Sequence, residues 1–241
     1  MLVLRSILFN VCFYVSTPLI AICLICVRPF GVEASWYCAS IWSDMVQWLL
    51  RVICQVHVHI EGKENLPTGS SVVLVNHQSA LETALMPRIV PSFVWVLKRE
   101  LLFIPIFGWS LIALQAIAIW RAKGSKAMKQ VMIQGKQFLS NGRWVVIFPE
   151  GTRVAIGEKK DFRAGGVLLA KAAEVNIVPV AHNSGLCWPR KSFMKYPGHV
   201  YFRILEAIPA QEVKEKKANA LLKQVQQCIE EEKERIATMH R

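Results

Sequence analysis

The stretch Val73-Leu-Val-Asn-His-Gln-Ser-Ala-Leu-Glu82 joins a strand-like apolar run to the start of a helical segment. An apolar run that ends abruptly in polar residues is typical of a strand followed by a loop and a helix, and α/β folds place reactive side chains at such junctions. His77 lies at the junction, with a carboxylate five positions further on at Glu82. The stretch therefore predicts an α/β fold in which His77 is the candidate catalytic residue.

The spacing between His77 and Glu82 restricts the local structure. Five residues along a regular helix turn a side chain about 140° away, so these two side chains meet only if His77 lies in the loop and the helix begins near Ala80. Ser79 and Glu82 have the spacing of a capping box, and Pro87 is expected to limit the helix. The structural alternative to a catalytic pair is thus a capping carboxylate beside a loop histidine.

A second polar stretch, Phe148-Pro-Glu-Gly-Thr-Arg153, follows another strand-like run at residues 144–148. A carboxylate, a flexible glycine and an arginine within four residues suit a polar, anionic ligand, because arginine pairs with phosphate through two parallel hydrogen bonds. Taken alone, the stretch is equally compatible with an ordinary turn that carries a surface ion pair.

Strand-like and helix-like segments alternate through the rest of the chain. The strand-like runs are residues 56–60, 72–75, 93–97, 116–120, 144–148, 177–180 and 201–205. Residues 128–139 have helical spacing and stop at Asn141-Gly142, and the charged C-terminal segment places Leu221, Val225 and Ile229 on one helical face. Such alternation predicts an α/β fold with a mostly parallel sheet covered by helices.

The N-terminal segment is the most apolar part of a chain of 241 residues that is 53% hydrophobic overall. Residues 7–27 are long enough to span a bilayer, but Pro18 in the middle suits a bent helix in one leaflet equally well. Residues 36–56 carry Asp44, Gln47 and Arg51 and are typical of an interfacial helix. We therefore expect a two-helix membrane anchor over residues 1–56 and a catalytic domain over residues 57–241. A cleaved signal peptide and a buried helical hairpin of a soluble protein are the weaker alternatives.

Charge and cysteine usage narrow the class further. All but one unit of the net charge of +12 lies beyond residue 60, which suits an anionic membrane surface and phosphate-bearing substrates. No nucleic-acid recognition motif is present, so we predict no nucleic-acid partner. Five of the seven cysteines lie in the anchor segments, and we predict neither disulfides nor a metal site.

Four sequence blocks, taken together and in order, resemble the glycerolipid acyltransferase family, in particular the lysophosphatidate acyltransferases of bacteria. They are the His77 block, Ile117-Ala-Ile-Trp-Arg121, the block ending at Arg153, and Ile177-Val-Pro-Val180, and the resemblance extends over about residues 60–208. This chain departs from the family pattern in having Glu82 where an aspartate is usual. The block ending at Arg121 is also a loose match.

The resemblance implies a catalytic role for two residues and substrate binding for five. His77 is expected to act as the general base on the acceptor hydroxyl, and Glu82 to orient its ring. The expected substrate-binding residues are Arg121, Glu150, Gly151, Thr152 and Arg153. No Gly-x-Ser-x-Gly motif occurs, so we expect direct acyl transfer without a covalent acyl-enzyme, and the amides near Gly151 are candidates to bind the oxyanion.

The expected reaction needs no cofactor. Acyl-CoA or acyl carrier protein is the expected co-substrate, lysophosphatidate the acceptor and phosphatidate the product, with the catalytic domain on the cytoplasmic side of the inner membrane. The alternatives are an acyltransferase that acts on a different lysophospholipid or lyso-lipid acceptor and, from a different class, a non-catalytic lipid-binding membrane protein. The apolar residues 101–114 are expected to form either a core helix or part of an acyl-chain groove.

Overall fold

One mostly parallel sheet organises the molecule, as the sequence predicts. The computed structural model describes residues 1–239, apart from the side chain of Lys123. The strands in this range are β1 (Val56–Glu61), β2 (Ser71–Val75), β3 (Phe93–Lys98), β4 (Ile117–Ile119), β5 (Trp144–Ile147), β6 (Asn176–His182) and β7 (Gly198–Ile204). Their order in the sheet is β1-β7-β6-β2-β5-β3-β4, and every pairing is parallel except that of β6 with β7. The predicted fold class is confirmed.

Helices cover both faces of the sheet. They are α1 (Leu2–Cys26), α2 (Val32–Cys54), α3 (Leu81–Ile89), α4 (Phe107–Ala113), α5 (Gly124–Ser140), α6 (Gly165–Ala173), α7 (Ala210–Glu215) and α8 (Ala218–Thr238). The first four share one hydrophobic core with the sheet and the last four share another. Because side chains alternate along a strand, Val73 of β2 enters the first core and Val72 the second. Both faces of β2 are therefore buried.

The sheet order brings three polar junctions together. β2 lies between β5 and β6, with Leu74 opposite Ile147 and Val75 opposite Val180. Since these three strands are parallel, their carboxyl ends meet at one edge of the sheet. The loops that begin after β2 and β5 and the last residues of β6 are therefore neighbours, although they are far apart in sequence.

The start of α3 decides how His77 and Glu82 relate. The helix begins at Leu81, whose N–H donates to Ser79 Oγ at 2.8 Å, so His77 lies in the loop as the spacing requires. Pro87 does not end the helix, which continues to Ile89. Glu82 is consequently in the first helical turn and can reach back over the loop.

The N-terminal helices pack against the sheet instead of standing apart from it. Phe9 of α1 and Trp36 of α2 belong to the same core as Val73. Among the described residues, α1 is the one helix long and apolar enough to cross a membrane, and it runs through Pro18 without interruption. The division of the chain at residue 56 stays a prediction.

Candidate active site

His77 and Glu82 form a closely paired dyad. His77 Nδ1–H donates to Glu82 Oε1 at 2.6 Å, and the imidazole ring stacks on Phe148 with 4.1 Å between ring centroids. The His77 side chain is 12% exposed, and its Nε2 makes no hydrogen bond within the described part of the chain. The ring is thus held in the tautomer that leaves the Nε2 lone pair for a substrate proton.

The Glu82 carboxylate is fully buried yet surrounded by donors. Besides His77, it accepts hydrogen bonds from the N–H groups of Gln78 (3.0 Å) and Ser79 (2.9 and 3.0 Å) and from the hydroxyls of Ser79 (3.0 Å) and Ser184 (2.9 Å). Burial alone would raise the pKa of Glu82, but attraction to His182 and the hydrogen bond from His77 lower it to about 2. Glu82 therefore carries a full negative charge at neutral pH.

The capping and catalytic interpretations of Glu82 are compatible with each other in this geometry. The carboxylate bonds the Ser79 N–H, as the acidic member of a capping box does. The reciprocal bond is missing, because Ser79 Oγ bonds the N–H of Leu81 and not that of Glu82. One carboxylate thus organises the loop and orients the imidazole.

His182 belongs to this site, although the sequence motifs leave it out. It is the last residue of β6, is fully buried, and has its Nε2 4.0 Å from Glu82 Oε2. Nε2–H donates to the Asn76 carbonyl at 2.6 Å and Nδ1 accepts from the Ser184 N–H at 3.3 Å, so both ring nitrogens are satisfied in the neutral form. Burial lowers the pKa of His182 to about 4, and the ring stays neutral at pH 7.

A recognisable signal marked this part of the site. The apolar run of β6 ends in His182-Asn183-Ser184, the same apolar-to-polar change that singled out the other two junctions. Asn76 and His182 also lock the two strand ends together, since the Asn76 amide donates to the His182 carbonyl at 3.0 Å and accepts the His182 N–H at 2.9 Å.

Glu150 contacts His77 from the opposite side of the loop. Its Oε1 accepts the backbone N–H of His77 at 3.1 Å, while its buried Oε2 has no partner within the described part of the chain. Burial raises the pKa of Glu150 to about 7. Two carboxyl groups beside one histidine therefore differ in charge, with Glu82 ionised and Glu150 partly protonated at neutral pH.

The loop after β5 closes onto His77 through its backbone. The N–H of Val154 donates to the His77 carbonyl at 2.7 Å, and Gly151 adopts a left-handed conformation (φ +69°) that favours glycine. The Gly151 N–H donates to the Phe148 carbonyl at 3.0 Å, so this amide is not the free oxyanion donor that we expected. Thr152 is exposed and makes no side-chain hydrogen bond among the described residues.

The two arginines predicted to bind substrate, Arg121 and Arg153, line different cavities on either side of this loop. The Arg121 guanidinium donates to the Gly151 carbonyl and lines a cavity beside α5 and α6. Arg153 lines a cavity of about 450 Å³ between the sheet and the helices α1 to α4. Arg121 and Arg153 both follow strands that end at the same edge of the sheet, but they line different cavities.

The larger cavity is almost entirely apolar. Arg153 is the one charged residue among the described residues that line it, and Ala80 and Thr83 of the His77 loop and α3 also contribute. Leu111 and Leu114 pack in the core and also line this cavity, so part of residues 101–114 has the expected core role. The role of these residues in an acyl-chain groove stays a prediction. Among residues 1–239, no three histidine, cysteine, aspartate or glutamate side chains are placed to hold a metal ion.

Comparison with known proteins gives the family. The acyltransferase family model matches residues 57–183, which is more than half of the chain. The chain belongs to the acyltransferase family. The matched segment contains the His77 and Glu82 pair, the loop that ends at Arg153, and His182.

Named relatives and a solved structure agree with this family. A 1-acyl-sn-glycerol-3-phosphate acyltransferase of Pseudomonas aeruginosa is 41% identical over 170 residues, which are 70% of this chain and 66% of that protein. One from Saccharomyces cerevisiae is 26% identical over 91% of this chain and 77% of its own length. The crystal structure of the 1-acyl-sn-glycerophosphate (LPA) acyltransferase of Thermotoga maritima matches with a TM-score of 0.82 at 20% identity, covering 98% of this chain and 96% of that one, and shows the shared fold.

Proposed function

We propose that this acyltransferase moves a fatty acyl group from acyl-CoA or acyl carrier protein to the 2-hydroxyl of lysophosphatidate and gives phosphatidate. The observation that carries the proposal is the buried, ionised Glu82 bonded to His77 Nδ1, which leaves Nε2 available as a base in a loop whose Ala80 lines an apolar cavity. The names of the relatives from Pseudomonas aeruginosa and Saccharomyces cerevisiae support this acceptor and product.

The dyad is suited to direct transfer. Nε2 of His77 takes the proton of the 2-hydroxyl as the oxygen attacks the thioester carbonyl, and Glu82 stabilises the imidazolium that forms. When the tetrahedral intermediate collapses, the carbon–sulfur bond breaks and the proton passes from Nε2 to the leaving thiolate. The hydroxyls of Ser79 and Ser184 donate to Glu82, so neither serine is arranged as a nucleophile toward His77.

The two cavities suggest how the substrates are arranged. The apolar cavity beside Ala80 suits a fatty acyl chain, and Arg153 is its one charged group in the described chain. Arg121 is proposed to bind the acceptor phosphate on the other side of the same loop. Glu150, whose unpartnered Oε2 lies next to the His77 loop, and Thr152 are proposed to contact the glycerol portion.

The anchor helices are proposed to lie in the cytoplasmic leaflet of the inner membrane without crossing it. The catalytic domain binds α1 near its start, where the Lys195 N–H donates to Ser6 Oγ at 2.9 Å. It also binds the chain just beyond the end of α1, where Arg28 Nε donates to the Ala113 carbonyl at 3.0 Å. The two contacts lie at opposite ends of a helix about 37 Å long, which is longer than the hydrocarbon core is thick. If α1 crossed the membrane, the catalytic domain would have to contact it on both sides of the bilayer.

An exposed apolar surface is available for this insertion. It runs over the outward side of α1, over α2 and over the segment around α4. Its large side chains include Leu4, Val11, Tyr14, Leu19, Tyr37, Trp48, Phe103, Trp109 and Ile112. Exposed aromatic and aliphatic side chains concentrated on these helices are typical of a membrane-facing surface, and the net charge of +12 favours anionic lipid.

Labelling tests this membrane arrangement. Phe30, between α1 and α2, is 85% exposed, and in a one-leaflet arrangement it stays on the same side as the catalytic domain. We expect Phe30→Cys, made with the exposed Cys23 and Cys26 changed to serine, to react with an impermeant maleimide in inside-out membrane vesicles. Reaction only from the opposite side would show that α1 crosses the bilayer.

Acyl release tests the chemistry. Detergent-purified protein is given radiolabelled palmitoyl-CoA with lysophosphatidate, lysophosphatidylcholine or no acceptor. We expect turnover with lysophosphatidate and a loss of about 10² to 10⁴-fold in His77→Ala, because the base is gone. His57→Ala, which removes a histidine of β1 outside the site, is the matched control and retains activity.

The other outcomes separate the alternatives. Turnover only with another acceptor would retain the dyad mechanism and replace the substrate. Undiminished activity in His77→Ala would remove His77 as the base. Absence of turnover with every acceptor, from both acyl-CoA and acyl carrier protein, would leave the non-catalytic lipid-binding alternative.

A further inference from the structure

Two guanidinium groups converge on Gly151. Arg121 donates to the Gly151 carbonyl, and the Arg163 side chain lies against the Gly151 Cα. A Cβ built on Gly151 would be 3.1 Å from Arg163 Nε and 3.2 Å from its Cζ. Any side chain at position 151 would therefore press on the Arg163 guanidinium, and glycine leaves room for it.

The positive charge of this pair has no direct counter-ion in the described structure. Among residues 1–239, neither arginine has a carboxylate within 4.0 Å, and the Arg163 side chain makes no hydrogen bond. Glu100 attracts Arg121 but forms its salt bridge with Lys98 at 3.0 Å. Burial and the nearby Arg163 both lower the pKa of Arg121. Like charges held together without a counter-ion are typical of a site that receives an anion.

Backbone hydrogen bonds fix the pair in place. The N–H of Arg163 donates to the Pro149 carbonyl at 2.9 Å, which ties the far end of the loop to its beginning. The Gly151 N–H is occupied by the Phe148 carbonyl, so the turn between the two arginines is closed. The guanidinium groups are therefore presented by an ordered loop, which lowers the entropic cost of binding a ligand.

A small cavity of about 130 Å³ opens between these arginines. Arg121, Gly151 and Arg163 line it together with Phe148. The Phe148 ring also stacks on His77, so one aromatic ring separates this cavity from the catalytic imidazole. Arg163 is exposed, and a soluble or lipid phosphate can reach it from solvent.

We propose that Arg163 and Arg121 together form the phosphate-binding site of this enzyme, with Arg163 as a substrate-positioning residue that lies outside the four sequence blocks. The proposal rests on the acyltransferase function proposed above. The ligand is a phosphate ester, which two parallel guanidinium hydrogen bonds hold in a fixed orientation. The phosphate comes either from the lysolipid acceptor or from the thioester donor, and Arg153 lines the apolar cavity instead of this one.

Steady-state kinetics with Arg163→Ala test the site. We expect KM for the phosphate-bearing substrate to rise about tenfold, since a charge-assisted hydrogen bond is lost, while kcat stays within about threefold. Arg163→Lys keeps the charge but loses the planar fork, so its KM falls between those of wild type and Arg163→Ala. Lys160→Ala removes an exposed cation of the same loop and leaves both KM values unchanged.

A phosphate-free acceptor identifies the source of the phosphate. If the acceptor supplies it, Arg163→Ala raises KM for lysophosphatidate and changes nothing when 1-acylglycerol replaces it. If the donor supplies it, KM for acyl-CoA rises with both acceptors. Unchanged KM values for both substrates, with lysophosphatidate turnover intact, would overturn the site and leave the proposed function standing.

Binding of inorganic phosphate tests the site without catalysis. Millimolar phosphate is expected to raise the melting temperature of wild type and of Lys160→Ala, but not of Arg163→Ala or Arg121→Ala. Absence of wild-type turnover would count against the proposed function alone, and this arm would still decide the site. Equal stabilisation of all four proteins by phosphate, or of none of them, would overturn the proposed phosphate site.

Discussion

Replacing Glu82 by glutamine removes one charge from the buried centre of the site and changes its shape little. In wild type, Oε1 accepts from His77, Gln78 and Ser79, and Oε2 accepts from the N–H and hydroxyl of Ser79 and from the hydroxyl of Ser184. A glutamine whose oxygen keeps the first three bonds must place its NH₂ group against the Ser79 N–H, so two donors face each other. The opposite amide orientation places NH₂ against His77 Nδ1 and forces the wrong tautomer.

The expected cost follows from the charge. The Glu82 pKa of about 2, against an ordinary value of 4.5, corresponds to roughly 3 kcal/mol of stabilisation at 1.36 kcal/mol per pH unit. Because the folded-state pKa is the lower one, this stabilisation is present above pH 4.5 and is lost as the pH falls toward 2. Glu82→Gln lacks this stabilisation, so it is less stable than wild type above pH 4.5 and the difference shrinks as the pH falls toward 2. The variant is also expected to lose about 10² to 10⁴-fold in kcat, because the imidazolium is no longer stabilised.

Thermal unfolding in detergent and phosphatidate formation measure the two effects separately. Ser184→Ala is the matched control, since it removes one hydrogen bond to Glu82 Oε2 but keeps the His77 contact. We expect this control to lose about 1 kcal/mol of folding stability and to keep kcat within severalfold of wild type. Glu82→Asp keeps the charge and shortens the reach by one methylene, so it retains more activity than Glu82→Gln. A Glu82→Gln variant with kcat within threefold of wild type would refute the ionised dyad.

Three further changes test the surroundings of the site. Glu150→Gln removes a carboxyl whose pKa is raised from 4.5 to about 7. Wild type is expected to lose roughly 3 kcal/mol of folding stability as the pH rises from 4.5 through 7, and the variant is not. If the melting temperatures of the two proteins change in parallel from about pH 5 to 9, the pKa assigned to the buried carboxyl is wrong. Lys195→Met keeps the apolar stem but removes the Nζ group that donates to Asn10 Oδ1 at 3.0 Å. The loss of this donor is expected to destabilise the protein by about 1 to 3 kcal/mol. An unchanged melting temperature would show that this hydrogen bond does not hold α1 against the rest of the protein. Ala21→Phe fills part of the apolar cavity and is expected to lower the ratio of kcat/KM for palmitoyl-CoA to that for octanoyl-CoA about tenfold; an unchanged ratio would place the acyl chain elsewhere.

The sheet could be predicted from the sequence because each strand is a short apolar run that ends in polar residues. β2, at Ser71–Val75, is buried on both faces, and its continuous apolar residues mark it as an interior strand. The His77 and Glu82 pair could also be predicted, since five residues separate the two and local geometry decides whether they meet. Local pattern is sufficient where the partners are near in sequence.

The rest of the site depends on strand order, which the sequence does not display. His182 and Ser184 reach Glu82 only because β6 pairs with β2, and Glu150 reaches the His77 N–H only because β5 pairs with β2 on its other side. Likewise, the side of the loop that each arginine faces depends on packing against α5 and α6 or against α1 to α4. No spacing rule relates residues whose proximity comes from the sheet.

The charges around His77 explain why two carboxyl groups can share one site. Glu82 is ionised because many donors surround it, and Glu150 is partly protonated at neutral pH because burial outweighs the hydrogen bond from His77 N–H. The positive charge of His182 that attracts Glu82 develops only below about pH 4, so at neutral pH His182 adds no positive charge. The ring of His77 therefore faces one full negative charge, which favours the imidazolium at the moment of proton transfer. In the proposed mechanism, a second full charge on Glu150 would attract the imidazolium more strongly and hinder return of the proton to the leaving thiolate, so the burial of Glu150 suits both steps.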